Sequence, residues 1–203
     1  MEWATRLLVL LACSGFCMAH SPCYAGYAPQ PAVSTIHKIY VPYGGTARGT
    51  FSTLEKRTFS RYGAPRSTPR KGHRHSGIDL AGSLGEKVYA IGPGRVVRHY
   101  WIFPNLALAL EHRLPDGTVF YSAYVHLVDT QVQVGDLVDE RTELGRLFNK
   151  KEMGRSRFRT PHLHLEIRKN FDDDGRASFT TMTAEKLANY FHDPLVFLRP
   201  FMN

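Results

Sequence analysis

Pro161-His162-Leu163-His164-Leu165 alternates histidine with leucine, and a period of two restricts the segment to an extended strand with two unlike faces. On that strand His162 and His164 share one face, while Leu163 and Leu165 turn toward a core. A second segment, His75-Ser76-Gly77-Ile78-Asp79, sets a histidine and an aspartate around a glycine, whose backbone freedom lets both side chains converge on one point. Together His75, Asp79 and His164 supply an N, O, N donor set for one zinc ion. A fourth position is left for water, which separates a catalytic zinc from a structural one whose four positions are filled by protein.

The chain between the two segments reads as strands. Residues 87–91 and 95–101 flank Gly92-Pro93-Gly94, expected as a tight turn between antiparallel strands. Residues 106–112 and 118–126 flank Leu114-Pro115-Asp116-Gly117, a second expected hairpin. Strand fragments with turns continue through residues 132–148, and a polar, basic loop at residues 149–159 delivers the histidine pair. Short strands at this spacing, with almost no helical periodicity, predict a mainly β domain: a compact antiparallel sheet or sandwich. One short C-terminal helix is expected at residues 184–191, with Leu187, Tyr190 and Phe191 on one face and Asp193-Pro194 ending it.

The 203 residues fit one domain of ordinary size plus extra N-terminal material. The formal charge of +8 asks for an acidic partner, but the basic residues are scattered and form no nucleic-acid reading motif, so nucleic acid is not the expected one. A carboxylate- or phosphate-rich polymer such as a bacterial cell wall suits the charge. All three cysteines, Cys13, Cys17 and Cys23, lie near the N-terminus, and none is left for the metal segments. Arg6 precedes an apolar run at residues 7–12 and then small residues, the pattern of a secretory signal too short to be a permanent membrane span. Cleavage after Ala19 or Ala25 fits, and Leu10-Leu11-Ala12-Cys13 reads alternatively as a lipid-attachment box tethering the protein through Cys13. The expectation is an exported protein, periplasmic or extracellular, or else a membrane-anchored lipoprotein. Residues 20–55, with Pro29, Pro31 and Pro42 and one candidate strand at 36–41, form either a linker or a segment that folds against the following domain, 56–203, and covers its groove.

Six of the ten histidines, His20, His37, His73, His99, His112 and His192, have no partner at ligand spacing and read as surface or strand residues. His126 differs, because it ends a strand of the same expected sheet and so comes within reach of the open metal position. Asp172-Asp173-Asp174-Gly175 lacks the ligand pattern and closing glutamate of a calcium loop and reads as a solvated turn.

Taken in combination, Ser60-Arg61-Tyr62-Gly63, His75-x-Gly77-x-Asp79, Val88-Tyr89-Ala90, Tyr124-x-His126-Leu127, Val134-Gly135, Leu144-Gly145, Pro161-His162-Leu163-His164-Leu165-Glu166 and Pro194-Leu195-Val196-Phe197-Leu198 resemble a known family. It is that of the lysostaphin-type (LytM-like) zinc endopeptidases of bacterial cell walls, and the likeness runs over about residues 58 to 198. The resemblance implies a compact antiparallel β domain with its site in a groove, His75, Asp79 and His164 as zinc ligands, and His126 with His162 as the catalytic pair. It leaves open which of those two is base and which stabiliser. It also implies hydrolysis of peptide bonds in peptidoglycan, in cross-links or stem peptides. The alternative is a non-catalytic wall-binding or hydrolase-regulating module with a retained zinc site. One departure stands out: where the family commonly has a Gly/Ser/Thr-rich turn before the histidine pair, this chain has Arg155, Arg157 and Arg159. These arginines either bind substrate carboxylates or only solvate a longer loop.

Overall fold

The computed structural model describes residues 31–44, 48–67, 71–100, 104, 106–156, 158–172 and 181–202. The expected signal segment with its cysteines, Arg157 and most of the 172–175 turn lie outside the described residues. Helix α1 (Phe51–Arg57) leads into the short strands β1 (Thr58–Ser60), β2 (Pro65–Arg66), β3 (His73–Arg74), β4 (Ile78–Ala81) and β5 (Lys87–Tyr89). Three longer strands follow, β6 (Gly94–Tyr100), β7 (Ala107–Arg113) and β8 (Val119–Val125), then β9 (Leu137–Val138) and β10 (Glu143–Arg146). The chain closes with α2 (Lys150–Ser156), β11 (His162–Arg168), α3 (Ala184–Tyr190), β12 (Phe191–His192) and α4 (Pro194–Leu198).

Among the described residues, one antiparallel sheet runs in the order β1-β4-β11-β8-β7-β6-β9, with β12 added on β11. The pairs β5–β10 and β2–β3 form two small ribbons beside it. The hairpin expected at 114–117 joins β7 to β8: Leu114 N–H donates to Thr118 O at 2.9 Å, and Gly117 supplies the positive φ of 86°.

The turn at Gly92-Pro93-Gly94 does not make the other expected hairpin, since β5 pairs with β10 while β6 pairs with β7 and β9. Its glycine serves close approach instead: a Cβ on Gly92 would sit 2.4 Å from Ile36 Cδ1. Ile36 belongs to the described part of the N-terminal stretch, whose apolar side chains pack into the core. Ile36, Ile39, Val41, Tyr43, Phe51 and Leu54 are buried in the same cluster as Leu80, Leu163 and Leu165. Residues 36–41 form no strand, because their backbone bonds are split between separate elements: Ile36 N–H to Arg113 O, Ile39 N–H to Phe201 O and Tyr40 N–H to Ile91 O.

Residues 150–156 are helical where a loop was expected. A seven-residue helix containing Gly154 has no apolar stripe to betray it, and its first turn is held by side chains. Asn149 Oδ1 accepts from Glu152 N–H at 3.0 Å, Glu152 Oε2 accepts from Asn149 N–H at 2.8 Å, and Arg146 grips the Glu152 carboxylate through both terminal nitrogens. The expected C-terminal helix is present as α3, with the Thr183 side chain accepting from Lys186 N–H and Leu187 buried against Met182 and Phe191, but it stops at Tyr190: Phe191 opens β12, and Asp193 caps the start of α4 instead of ending α3. Among the described residues no helix is long and apolar enough to cross a membrane.

Candidate metal centre

β4 and β11 lie side by side in antiparallel register, with His164 opposite Asp79 and His162 opposite Ala81. The period-two face of β11 thereby meets the aspartate directly. His75 arrives from the turn before β4, which runs so close to β11 that a Cβ on Gly77 would fall 2.2 Å from Leu165 O. Close approach, more than freedom of φ, is what Gly77 provides. The result is a nearly equilateral triangle of donor atoms: His75 Nε2 to His164 Nδ1 2.9 Å, and Asp79 Oδ1 to each of them 3.0 Å.

The outward atoms of these side chains fix which nitrogen of each ring faces inward. His75 Nδ1 lies 2.9 Å from the carbonyl of Arg61, which can only accept, so the proton is on Nδ1 and Nε2 offers a lone pair. His164 Nε2 lies 3.1 Å from Glu166 Oε1, so it donates there and presents Nδ1 inward. Glu166 is itself held by Ser76 Oγ at 2.7 Å and by Arg168 Nε at 2.7 Å, with Arg168 fully buried over the Phe191 ring. Burial would raise the Glu166 carboxyl, but Arg168 and His164 outweigh it and hold it at about 2.

Three electron-rich atoms this close need a cation among them. Without a metal ion, that role falls to a second proton on His164: burial opposes the charge, yet Asp79 and Glu166 carry its pKa up to about 9. Burial likewise works against the Asp79 charge, and the hydrogen bonds from His164 and His75 more than compensate, holding it far below the usual carboxylate range. Tetrahedral zinc with bonds of about 2.0–2.1 Å spaces its ligands at roughly 3.3 Å, close to the triangle observed. The donor set fits one such ion, which would displace the proton.

His126 and His162 stand beside the triangle, ring centroids 4.9 Å apart. His126 Nδ1 donates to Pro104 O at 2.8 Å and His162 Nδ1 to Thr160 O at 2.7 Å, so both present an unprotonated Nε2. Burial pushes His126 down to about 3, helped by its neighbour His162, and burial also lowers His162. His126 adopts φ 73°, a left-handed conformation uncommon for any residue but glycine, which ends β8 and aims the ring. Phe158 packs its edge against both rings, at 4.5 Å from His126 and 4.9 Å from His162.

A cleft of about 470 Å³ opens over these groups. Of the three arginines read as substrate ligands, Arg159 lines the cleft and is exposed; Arg155 sits exposed on the last turn of α2 and is not among the lining residues; Arg157 is outside the described residues. His73, read from sequence as an unremarkable strand residue, is buried in the cleft wall, its Nδ1 accepting from Met182 N–H at 3.0 Å. Sequence reasoning also missed the supporting roles of Ser60, Arg66, Ser76 and Arg168. The period-two continuation His162, His164, Glu166, Arg168 along one strand face was the signal for the last of these.

The fold and the donor set define a mainly antiparallel β domain with a His-Asp-His cluster that could hold a metal ion at the floor of a cleft. Residues 73–176 match the sequence profile described as Peptidase family M23. The chain belongs to this family, and its fold is shared with lysostaphin. Among solved structures it is similar to the antimicrobial peptidase lysostaphin from Staphylococcus simulans, at 24% identity over 82% of this chain and 56% of that one, TM-score 0.54. The solution structure of lysostaphin matches at 23% identity over 77% of this chain and 56% of that one, TM-score 0.51. A zinc-containing peptidase from Vibrio cholerae matches at 25% identity over 64% of this chain and 37% of that one, TM-score 0.46. The lysostaphin likeness carries the fold, and this chain spans 37% and 56% of the lengths of the Vibrio and Staphylococcus proteins. No curated protein matches the chain.

Proposed function

We propose that the protein is an exported zinc-dependent endopeptidase that hydrolyses peptide bonds of peptidoglycan, in cross-links or stem peptides. The observation that supports this most is the meeting of two different sets of lone pairs at one cleft floor: the His75, Asp79 and His164 triangle, and the two Nε2 atoms of His126 and His162. His75, Asp79 and His164 would hold one zinc ion, which when bound would polarise an amide carbonyl and acidify a water molecule.

The remaining work falls to the imidazoles. His162, the more exposed of the pair, takes the proton of the attacking water on Nε2 and returns it to the leaving amine. His126, whose burial makes it the weaker base, accepts a hydrogen bond at Nε2 and so directs the water toward the carbonyl carbon. Phe158 shields both rings from bulk water and keeps them neutral. Arg159, which lines the cleft, attracts the carboxylates of the wall peptides.

The stretch Met1 to Ala19 or Ala25 acts as the export signal, with acylation at Cys13 as the alternative route to the wall. The described residues of the 20–55 stretch contribute no lining residue to the cleft. Digestion of purified sacculi by the zinc-loaded protein, read by mass analysis of released muropeptides, tests the proposal. New fragments that disappear in His162→Ala are expected. Intact sacculi that nevertheless retain the protein would replace this reading with that of a non-catalytic wall-binding module.

A further inference from the structure

We propose that Arg66 is a positioning residue for Asp79: it occupies one carboxylate oxygen so that the other alone serves the metal, which keeps a coordination position open. This rests on the metal-dependent reading above. The β2–β3 ribbon pairs Arg66 with His73 and so sets the arginine beside the chain that runs into His75. From there its Nη2 donates to Asp79 Oδ2 at 2.6 Å and to Ser60 Oγ at 2.8 Å. Ser60 is the cross-strand partner of Asp79 in β1–β4, and its Oγ lies 3.3 Å from His75 Nδ1. One guanidinium nitrogen therefore ties the backs of two of the three donors to a neighbouring strand.

The two oxygens of Asp79 are thus given unlike tasks. Oδ1 stands 3.0 Å from both inward-facing imidazole nitrogens, while Oδ2 is committed to a short, charge-assisted bond. A carboxylate offers lone pairs on both oxygens and can chelate a cation through both. Chelation here would consume the position that substrate or water needs. Arginine suits the task because its donors lie in a rigid plane that matches the geometry of a carboxylate. Arg66 lines the cleft and its side chain is 34% exposed, yet its short bond is made inward to the aspartate, which distinguishes it from Arg159 on the rim.

The test uses the full chain, stripped of metal and reloaded with cobalt(II), whose visible d–d absorption is intense in four-coordinate sites and weak at higher coordination. Arg66→Gln is expected to lose most of the d–d intensity and to bind the metal about 10- to 100-fold more weakly in chelator competition. Arg66→Lys, which keeps the charge and one donor, is expected to recover part of both. Ser60→Ala, which frees the other anchor of Nη2, is expected to shift the spectrum the same way by less. Equal melting temperatures of the metal-free proteins separate this from a folding defect. A wild-type spectrum and affinity in both Arg66→Gln and Ser60→Ala would overturn the inference, as would Arg66→Lys behaving no better than Arg66→Gln. Wild-type protein that takes up no cobalt would overturn the functional reading itself, whereas an unchanged variant spectrum in a wall-degrading protein would remove only the role of Arg66.

Discussion

His75 Nε2 and His164 Nδ1 lie 2.9 Å apart, each ring with its other nitrogen donating outward, to Arg61 O and to Glu166 Oε1. Two imidazoles tied back in this way cannot relieve their mutual repulsion by turning. They need a cation between them, and Asp79 Oδ1, 3.0 Å from both, adds to the demand. The predictions below begin from that requirement.

Zinc is expected to bind at one ion per chain and to raise the melting temperature, because a ligand that binds only the folded state stabilises it. Chelation should reverse the rise, and re-addition should restore it. His164→Ala, which leaves Asp79 and His75 without their third partner, should show neither metal content by elemental analysis nor a zinc-dependent melting shift.

His162→Ala and His126→Ala should each retain the metal while lowering wall-degrading activity by about 100- to 10,000-fold, the usual worth of a positioned proton-transfer group. At residue 126 a second comparison isolates backbone strain. With φ at 73°, His126→Gly should be more stable than His126→Ala by about 1 kcal/mol, although both are inactive. Denaturant midpoints measure the difference.

Gly77→Ala introduces a methyl group 2.2 Å from Leu165 O, and backbone cannot yield as a flexible side chain would. A loss of about 1–3 kcal/mol is expected, together with weaker zinc binding, since the displaced turn carries His75. Stability and metal affinity that both match wild type would contradict this account of the glycine.

Tyr43 donates its phenolic proton to Leu80 O at 2.9 Å and accepts from Leu163 N–H at 3.1 Å, bridging β4 and β11 at paired residues. Tyr43→Phe leaves a buried carbonyl and a buried N–H without that partner, so a loss of about 1–3 kcal/mol is expected. Because those strands carry Asp79 and His164, zinc affinity should fall as well.

His112 sets a pH dependence away from the cleft. It is fully buried, its Nδ1 donating to Pro93 O at 2.7 Å and its Nε2 accepting from Ser122 Oγ at 2.7 Å, and burial pushes its pKa down from 6.5 to about 4. The folded state therefore prefers the neutral ring. Its contribution is complete above pH 6.5 and is lost as the pH falls toward 4, where the unfolded chain takes up the proton more readily. The full loss is about 3 kcal/mol. His112→Gln should be less stable at neutral pH but should lose less on acidification between pH 6.5 and 4.5, as followed by denaturant unfolding.

The parts of the fold that were legible in the sequence were local. The 114–117 hairpin carries its own turn chemistry, and residues 184–190 carry a cap and a one-sided apolar face, so both needed no distant partner. The turn at Gly92-Pro93-Gly94 looked equally local and misled, because its glycine answers to Ile36, more than fifty positions away in sequence. Helix α2 was invisible for the opposite reason: its stability comes from the Arg146 clamp on Glu152 and not from any periodic apolar stripe. Residues 36–41 joined the core because Ile36, Ile39 and Val41 had apolar neighbours to bury against, which proline punctuation alone does not reveal.

For the candidate site, the sequence alone determined the donor types and their faces. Alternation in 161–165 put two imidazoles on one side of a strand, and Gly77 marked a chain path tight enough for His75 and Asp79 to converge. Only the tertiary structure decided that His164 stands opposite Asp79 and which nitrogen of each ring faces inward. It also decided that Arg66 and Glu166 stand behind the donors, and that Arg159 but not Arg155 lines the cleft. The physical reason is that a lone pair is aimed by whatever binds the other side of its ring or carboxylate. For this protein those partners, Arg61, Ser60, Arg66 and Glu166, are brought into place by strand pairing and ribbon docking, which no local pattern encodes.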